Sequence, residues 1–280
     1  VVSMILAAID HDQLQGWMYE ALVLAMQVAG EDQNEIERAL MSSVDLSGQP
    51  EDVLMAANYM AENGMESRSL KLLKSFAAAN PSRFEPFVLG LKTAQRIEDL
   101  EGMMWATVGI FEQEWPSHPE MVRKAGFVAD GIIATLKKDG QTDRLVAFEK
   151  QLQRAQERDC VIDVSWTGDA DLDLQVNEPG GTICSNLQPR TTSGGVMLGD
   201  KFSPEKDHSG KITERYVLPK GFAGNYQLVV KRVWGDITSG KATVSIRNHY
   251  KSDRESSMTR QVKLDKIGAI VLFSLDKGRR

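Results

Sequence analysis

The sequence predicts an α-then-β protein, with a helical solenoid in residues 1–157 and an antiparallel, jelly-roll-like β-sandwich in residues 158–280. Two patterns support this prediction. In the first half, apolar residues recur at spacings of three and four, whereas in the second half they alternate with polar residues. Breaks rich in Gly, Pro, Asn and Ser also separate the helical segments at a regular interval. A chain of 280 residues is long enough for two domains that each bury a core.

The helical segments of the first half come in pairs. The first helix of each pair begins near residues 13, 50, 83 and 117, which gives spacings of 37, 33 and 34 residues. A two-helix unit that repeats about every 34 residues is typical of tetratricopeptide repeats. The segment "FAAANP", which ends at Pro81, resembles the closing segment of that motif. We therefore expect a tetratricopeptide-like solenoid.

A solenoid of this kind usually binds a protein partner. Each repeat buries its apolar side only against its neighbours, and the stack presents an extended surface to peptides or proteins. The alternative is a helical spacer with no partner of its own. The opening "VVSMILAAID" has neither an initiator methionine nor the features of a signal peptide. It fits the second helix of a repeat that begins upstream, which predicts that the chain is the C-terminal piece of a longer protein.

The second half contains short runs of alternating apolar and polar residues, among them "CVIDVSW", "LDLQV" and "GAIVLFSL". Seven or eight such strands, with Gly, Pro, Asn and Asp between them, predict a β-sandwich or jelly roll. The apolar residues of "LDLQV", Leu172, Leu174 and Val176, are predicted to face the core. The closing run is almost continuously apolar, which predicts a central strand that is covered on both faces.

The second half also resembles a known family. "DVSWTGDADLDLQVNEPGG", "SGGVMLGD" and "LPKGFAGNYQLVVKRVW" follow one another in the region of residues 160–248. This order of segments resembles the bacterial family called domain of unknown function 2135, and more distantly the bacterial pre-peptidase C-terminal domains. The resemblance implies a non-catalytic accessory β-sandwich of a larger bacterial protein. It also favours an extracytoplasmic location, in the periplasm or at the cell surface.

The charge distribution and the motifs exclude several classes of function. Residues 1–158 hold 15 Lys and Arg against 24 Asp and Glu, and residues 159–280 hold 18 against 15. Because no basic stripe is present, we expect no nucleic-acid partner. No apolar run reaches the ~20 residues of a membrane helix, so no membrane insertion is expected. No catalytic signature is found, and "SPEK" and "DHSG", residues 203–210, do not provide one. We therefore expect no enzyme activity.

The segment "DADLDLQVNEPGG" places Asp169, Asp171 and Asp173 on one face of a strand, ~7 Å apart. Like charges this close repel unless a cation or a basic side chain neutralises them. Calcium needs additional oxygen ligands, which Asn177, Asp200 or Asp163 could supply. The candidate metal ligands are therefore Asp171, Asp173 and Asp200, with calcium as the candidate cation. The alternative is a solvent-facing strand with Asp169 in the preceding turn.

The cysteines and the longest loop leave further alternatives open. Cys160 and Cys184 match no zinc pattern, so we expect either two buried thiols or one disulfide. The polar loop at residues 194–211 is expected to be either a ligand-contact region or a connector.

Together these features favour a non-catalytic protein-interaction and scaffolding fragment of a larger bacterial protein, with the partner bound by the solenoid. The alternative is a carbohydrate- or cation-binding accessory β-sandwich that serves an enzyme encoded upstream.

Overall fold

The structure, a computed structural model, describes residues 1–11, 13, 15, 17–47, 49–198, 210–264 and 268–280. Within these ranges, nine helices precede nine strands, so the predicted α-then-β order is confirmed. The helices are α1 (Val2–Asp10), α2 (Met18–Ala29), α3 (Gln33–Ser47), α4 (Pro50–Glu62), α5 (Glu66–Ala79), α6 (Glu85–Arg96), α7 (Leu100–Phe111), α8 (Pro119–Lys138) and α9 (Thr142–Gln156). The strands are β1 (Arg158–Thr167), β2 (Asp171–Asn177), β3 (Ile183–Ser185), β4 (Val196–Leu198), β5 (Lys211–Leu218), β6 (Gly224–Trp234), β7 (Lys241–Tyr250), β8 (Ser256–Lys263) and β9 (Ala269–Leu275).

The chain forms two compact units. The helical unit consists of Val1–Ile110 and Glu120–Gly140. The sheet unit consists of Phe111–Pro119 and Gln141–Arg280, so it includes α9 and the segment between α7 and α8. The boundary expected between residues 157 and 158 coincides instead with the change of secondary structure from α9 to β1.

Helices α1 to α6 pack in chain order. Each contacts the next one of this series, from α1 on α2 to α5 on α6. The first helices of successive pairs begin at Met18, Pro50, Glu85 and Pro119, which are 32, 35 and 34 residues apart. The interval expected from the sequence is therefore present in the structure.

Glycines allow α6 and α7 to approach each other closely. Gly90 lies against the ring of Trp105, and Gly109 lies against the ring of Phe87, so that a Cβ atom at either glycine would overlap a ring carbon. The two rings also contact each other, with centroids 5.3 Å apart. The aromatic side chains thus fill the space that the glycines leave open.

The strands form two antiparallel sheets. The five-stranded sheet has the order β4-β5-β1-β7-β8, and the four-stranded sheet has the order β3-β2-β6-β9. Buried residues from both sheets belong to one apolar cluster, which includes Ile162 and Ile246 of the first sheet and Leu174 and Leu228 of the second. A single core therefore holds the sheet unit together.

The prediction that the last strand is central was wrong. β9 lies at the edge of the four-stranded sheet, and its side chains alternate between buried and exposed positions. Ile270 and Leu272 are 60% and 66% exposed. An unbroken apolar run indicates burial on both faces only when both faces are covered, and the run itself does not show whether they are.

We expect Gly109→Ala to lower the free energy of unfolding of the helical unit by about 1–3 kcal/mol, because the new methyl group overlaps the Phe87 ring. Gly126→Ala in α8 is the matched control, since a Cβ atom there meets no atom within 4 Å. Alanine favours a helix over glycine by about 1 kcal/mol, so this control should be neutral or stabilising. Urea unfolding followed by circular dichroism measures both changes. Equal stability of the two variants would contradict the close packing of α6 on α7.

Candidate functional site

Asp169 joins two loops at one end of the sheet unit. Its Oδ1 atom accepts a hydrogen bond of 2.8 Å from the backbone amide of Asp236, and its own amide donates to the Asp236 carbonyl at 3.2 Å. Gly168 and Gly235 flank this contact with φ angles of 127° and 71°, and the facing backbone lies too close to either glycine for a Cβ atom. Asp169 therefore lies in a turn, as the solvent-facing alternative predicted, and it connects the β1–β2 loop to the β6–β7 loop.

Asp171 and Asp173 lie on the outward side of β2, whose alternate residues Leu172, Leu174 and Val176 are buried as predicted. The register with β6 places Lys231 directly opposite Asp173 and Trp234 opposite Asp171. Asp173 Oδ1 also accepts a hydrogen bond of 2.9 Å from Asn186 Nδ2. A basic residue across the strand pair reduces the repulsion between the two carboxylates.

The proposed calcium site stays a prediction, because its third ligand, Asp200, lies outside the described residues. In the described part of the chain, no three His, Cys, Asp or Glu side chains are grouped closely enough to hold a metal ion. Residues 199–209, which contain "SPEK" and most of "DHSG", also lie outside the residues that the structure describes. The same holds for most of the loop at residues 194–211, for which a ligand-contact region and a connector are the two alternatives.

A buried carboxylate that the sequence patterns did not single out follows the end of β2. Glu178 is only 5% exposed. Its Oε1 atom accepts a hydrogen bond of 2.7 Å from the Tyr216 hydroxyl, and its Oε2 atom accepts hydrogen bonds from the hydroxyls of Thr191, at 2.7 Å, and Thr182. The Thr191 hydroxyl in turn accepts a bond of 3.0 Å from the amide of Gly195. A Cβ atom at Gly195 would overlap Glu178 and Tyr216.

This Glu178 network connects three segments of the sheet unit: the β2–β3 turn, the segment before β4, and β5. Hydrogen bonds to an ionised group are roughly twice as strong as neutral ones. Burial raises the pKa of Tyr216 well above its ordinary value, and the charge of Glu178 and its hydrogen bond add to this effect. Tyr216 therefore remains a donor at neutral pH. The carboxylate and its three hydroxyl partners stabilise the fold and present no exposed acid to a substrate.

Cys160 and Cys184 are free thiols in the core of the sheet unit. Burial raises the pKa of Cys160, and the charge of Asp159 adds to the increase. Burial, together with the charge of Glu178, raises the pKa of Cys184 to about 12. Because the thiolate is the reactive form, neither cysteine is a nucleophile at neutral pH. Of the two alternatives that the sequence left open, the structure shows two buried thiols.

An apolar groove of about 320 Å³ lies on the helical unit where α2, α3 and α4 meet. We call it the helical groove and define it by Leu24, Met55 and Tyr59, with Glu20 and Asp52 at its sides. Leu24 and Met55 are each 60% exposed. Among the described residues the buried hydroxyl of Tyr59 has no hydrogen-bond partner, and burial raises its pKa.

The helical groove lies in the most acidic part of the chain. Residues 1–62 contain eleven Asp and Glu but only one basic residue, Arg38. Arg38 forms an ion pair with Glu35 of its own helix, with an N–O distance of 3.1 Å. Three further acidic residues form ion pairs with basic residues later in the chain, namely Glu37, Glu51 and Glu62. The negative charge at the groove is therefore that of its lining residues Glu20 and Asp52, which attract basic groups.

Tyr216→Phe removes one of the hydroxyl donors to the Glu178 carboxylate. We expect it to lower the free energy of unfolding of the sheet unit by about 1.5–3 kcal/mol, the range for a hydrogen bond to a charged group. Tyr226→Phe is the matched control, because Tyr226 is also buried but donates to the neutral carbonyl of Phe222 at 2.7 Å. Its loss should be about 0.5–1.5 kcal/mol. Urea unfolding followed by tryptophan fluorescence measures both losses, and equal values would argue against an ionised acceptor.

The sheet unit is also expected to lose stability as the pH rises above about 8.5, where unfolded cysteines and then tyrosines ionise. In the folded unit Cys160, Cys184, Tyr216 and Tyr226 have raised pKa values and keep their protons. The stability is therefore complete below the unfolded pKa values and falls towards the folded ones, by up to about 1.4 kcal/mol per pH unit for each group. Urea unfolding of Cys160→Ala/Cys184→Ala between pH 8 and 10 should show a shallower decline. A decline as steep as that of the parent chain would mean that the thiols do not contribute.

None of the described helices combines the length and the apolar content that a membrane span requires. No protein-family model, no curated protein and no solved structure matches the chain.

Proposed function

We propose that the chain is a non-catalytic protein-interaction and scaffolding part of a larger bacterial protein. In this proposal a tetratricopeptide-like solenoid binds a protein partner, and an accessory β-sandwich related to domain of unknown function 2135 accompanies it. The regular interval between helix pairs and their packing in chain order support a solenoid. The single core between two antiparallel sheets supports a sandwich.

The helical groove is the observation that carries this proposal. Grooves between helices bind amphipathic segments, whose apolar side chains enter the groove. Leu24 and Met55 remain largely exposed on its walls, although neighbouring positions of the same helices are buried. Methionine suits a binding surface because its unbranched side chain adapts to different contacts. Single exposed apolar side chains are common, but Leu24 and Met55 line the same concave surface.

The charges at the helical groove indicate which segments fit it. Glu20 and Asp52 line its sides, within a region that has ten more acidic than basic residues over residues 1–62. Opposite charge across an interface speeds association and selects among partners. The favoured partner is therefore a segment with a bulky apolar anchor and flanking Lys or Arg.

Selection from a random peptide library against the full chain tests the proposal. We expect enrichment of peptides that combine Lys or Arg with Leu, Ile, Phe or Met. Fluorescence polarisation then compares Leu24→Glu and Met55→Glu with Val28→Glu. Val28 is 92% exposed on the same helix as Leu24 and does not line the groove, so it is a control of equal charge.

The two groove variants should weaken binding of the selected peptides by about tenfold or more, because a charge replaces a buried apolar contact. The Val28→Glu variant should bind as tightly as the parent chain. Selected peptides that lack basic residues, or that bind all three variants equally well, would contradict the assignment of the groove as the partner site.

A further inference from the structure

The outward side of the four-stranded sheet, which we call the outer face, is mainly polar at its centre and mainly apolar at its edges. The register of the four strands aligns its residues in rows. One row contains Ile183, Asn177, Gln227 and Leu272, and the adjacent row contains Ser185, Gln175, Val229 and Ile270. Amide side chains thus occupy three of the four central positions, with Val229 at the fourth. Exposed Ile and Leu side chains occupy three of the four edge positions, with Ser185 at the fourth.

Hydrogen bonds fix the orientation of these amides. Gln175 Nε2 donates to Asn177 Oδ1 at 2.8 Å, and Asn177 Nδ2 donates to Gln227 Oε1 at 2.6 Å. A side-chain amide has two N–H donors and a carbonyl with two lone pairs. The two hydrogen bonds therefore use only part of the hydrogen-bonding capacity of the three amides. The remaining donors and acceptors stand side by side in a fixed arrangement. Such preorganisation reduces the entropy that a ligand must offset when it binds.

An aromatic side chain lies further along the same face. Trp234 ends β6, is 58% exposed, and pairs directly with Asp171. Residues that lie directly opposite on antiparallel strands project from the same side of a sheet, and Asp171 projects outward. At the next outward position of β2, Asp173 lies opposite Lys231 and accepts a hydrogen bond from Asn186. The outer face therefore combines an exposed indole ring with amide, carboxylate and ammonium groups.

This combination matches the chemistry of a sugar chain. A sugar hydroxyl both donates and accepts hydrogen bonds, which suits amides and carboxylates that are fixed in place. The indole ring offers an apolar surface on which the C–H groups of a sugar ring can stack. Protein interfaces have the opposite layout, with an apolar centre and a polar rim. The outer face has a polar centre, so a protein partner fits it less well than a polyhydroxylated one.

We propose that the outer face binds a neutral polysaccharide, with Trp234 stacked on one sugar ring and Gln175, Asn177 and Gln227 bonded to hydroxyls of other rings. The hydrogen-bonded amides at the centre of the face carry no charge, and Asp173 lies opposite Lys231, so the face favours a neutral polymer. Trp234 and Gln227 are seven residues apart on β6, or roughly 23 Å along the strand, so the site spans several sugar rings. The residues of this site belong to the sheet unit, whereas those of the helical groove belong to the helical unit.

Affinity electrophoresis of the full chain under native conditions tests the proposal. The gels contain laminarin, galactomannan, hydroxyethylcellulose or starch, and isothermal titration with chitohexaose extends the panel. We expect at least one of these five neutral glycans to bind. Trp234→Ala should weaken that binding by about tenfold, as the loss of one stacking contact implies, and Gln227→Ala should weaken it several-fold.

Trp17→Ala is the matched control, since Trp17 is 60% exposed but lies on the helical unit. It should bind the glycan as the parent chain does, and circular dichroism should show that all three variants are folded. The proposal is overturned if no glycan of the panel binds, or if Trp234→Ala and Gln227→Ala bind as tightly as Trp17→Ala. It is also overturned if sedimentation shows that the chain self-associates and that Trp234→Ala abolishes the association, because the face is then an interface between copies.

Discussion

The alternation of side chains along β2 is the constraint on which the sheet unit depends. Leu172, Leu174 and Val176 enter the core, so the residues between them must point outward. A shift of one residue in the pairing with β6 would bury Asp171 and Asp173 and expose the leucines. Burying an unpaired carboxylate costs several kcal/mol, so the charges oppose this shift as strongly as the apolar side chains do. The same period therefore fixes both the core and the composition of the outer face.

Local sequence patterns were sufficient to predict helices and strands but not which strands lie next to each other in a sheet. The change of period near Cys160 coincides with the start of β1 at Arg158, and Pro50 begins α4 where the repeat interval places a helix. The position of β9 could not be obtained in this way, because strand order depends on pairing between segments that are distant in sequence. Ile270 and Leu272 look like core residues in the sequence, and only the pairing with β6 shows that they face outward at an edge.

The candidate sites also differ in whether they depend on local sequence or on segments that are distant along the chain. The alternative that places Asp169 in the turn before β2 needs only local sequence, because aspartate is common in turns. Glu178 could not be recognised, because its partners come from three segments and Tyr216 is 38 residues away along the chain. Within "EPGG" the glutamate looks like part of an exposed turn, although the structure surrounds it with hydroxyl groups. The outer face could not be predicted from the sequence either, because its rows form only when β2, β3, β6 and β9 lie side by side.

The two proposed binding surfaces differ in where their polar groups lie, and they are therefore expected to select different ligands. The helical groove has apolar walls formed by Leu24 and Met55 and acidic sides formed by Glu20 and Asp52, so its selectivity depends on charge. At physiological ionic strength, salt screens the attraction between exposed charges that are more than about 8 Å apart. The outer face relies on stacking and on hydrogen bonds from amides that are already held in place, and these contacts depend little on ionic strength. If both proposals hold, added salt weakens the binding of a basic segment at the helical groove and leaves the binding of a neutral polymer at the outer face almost unchanged.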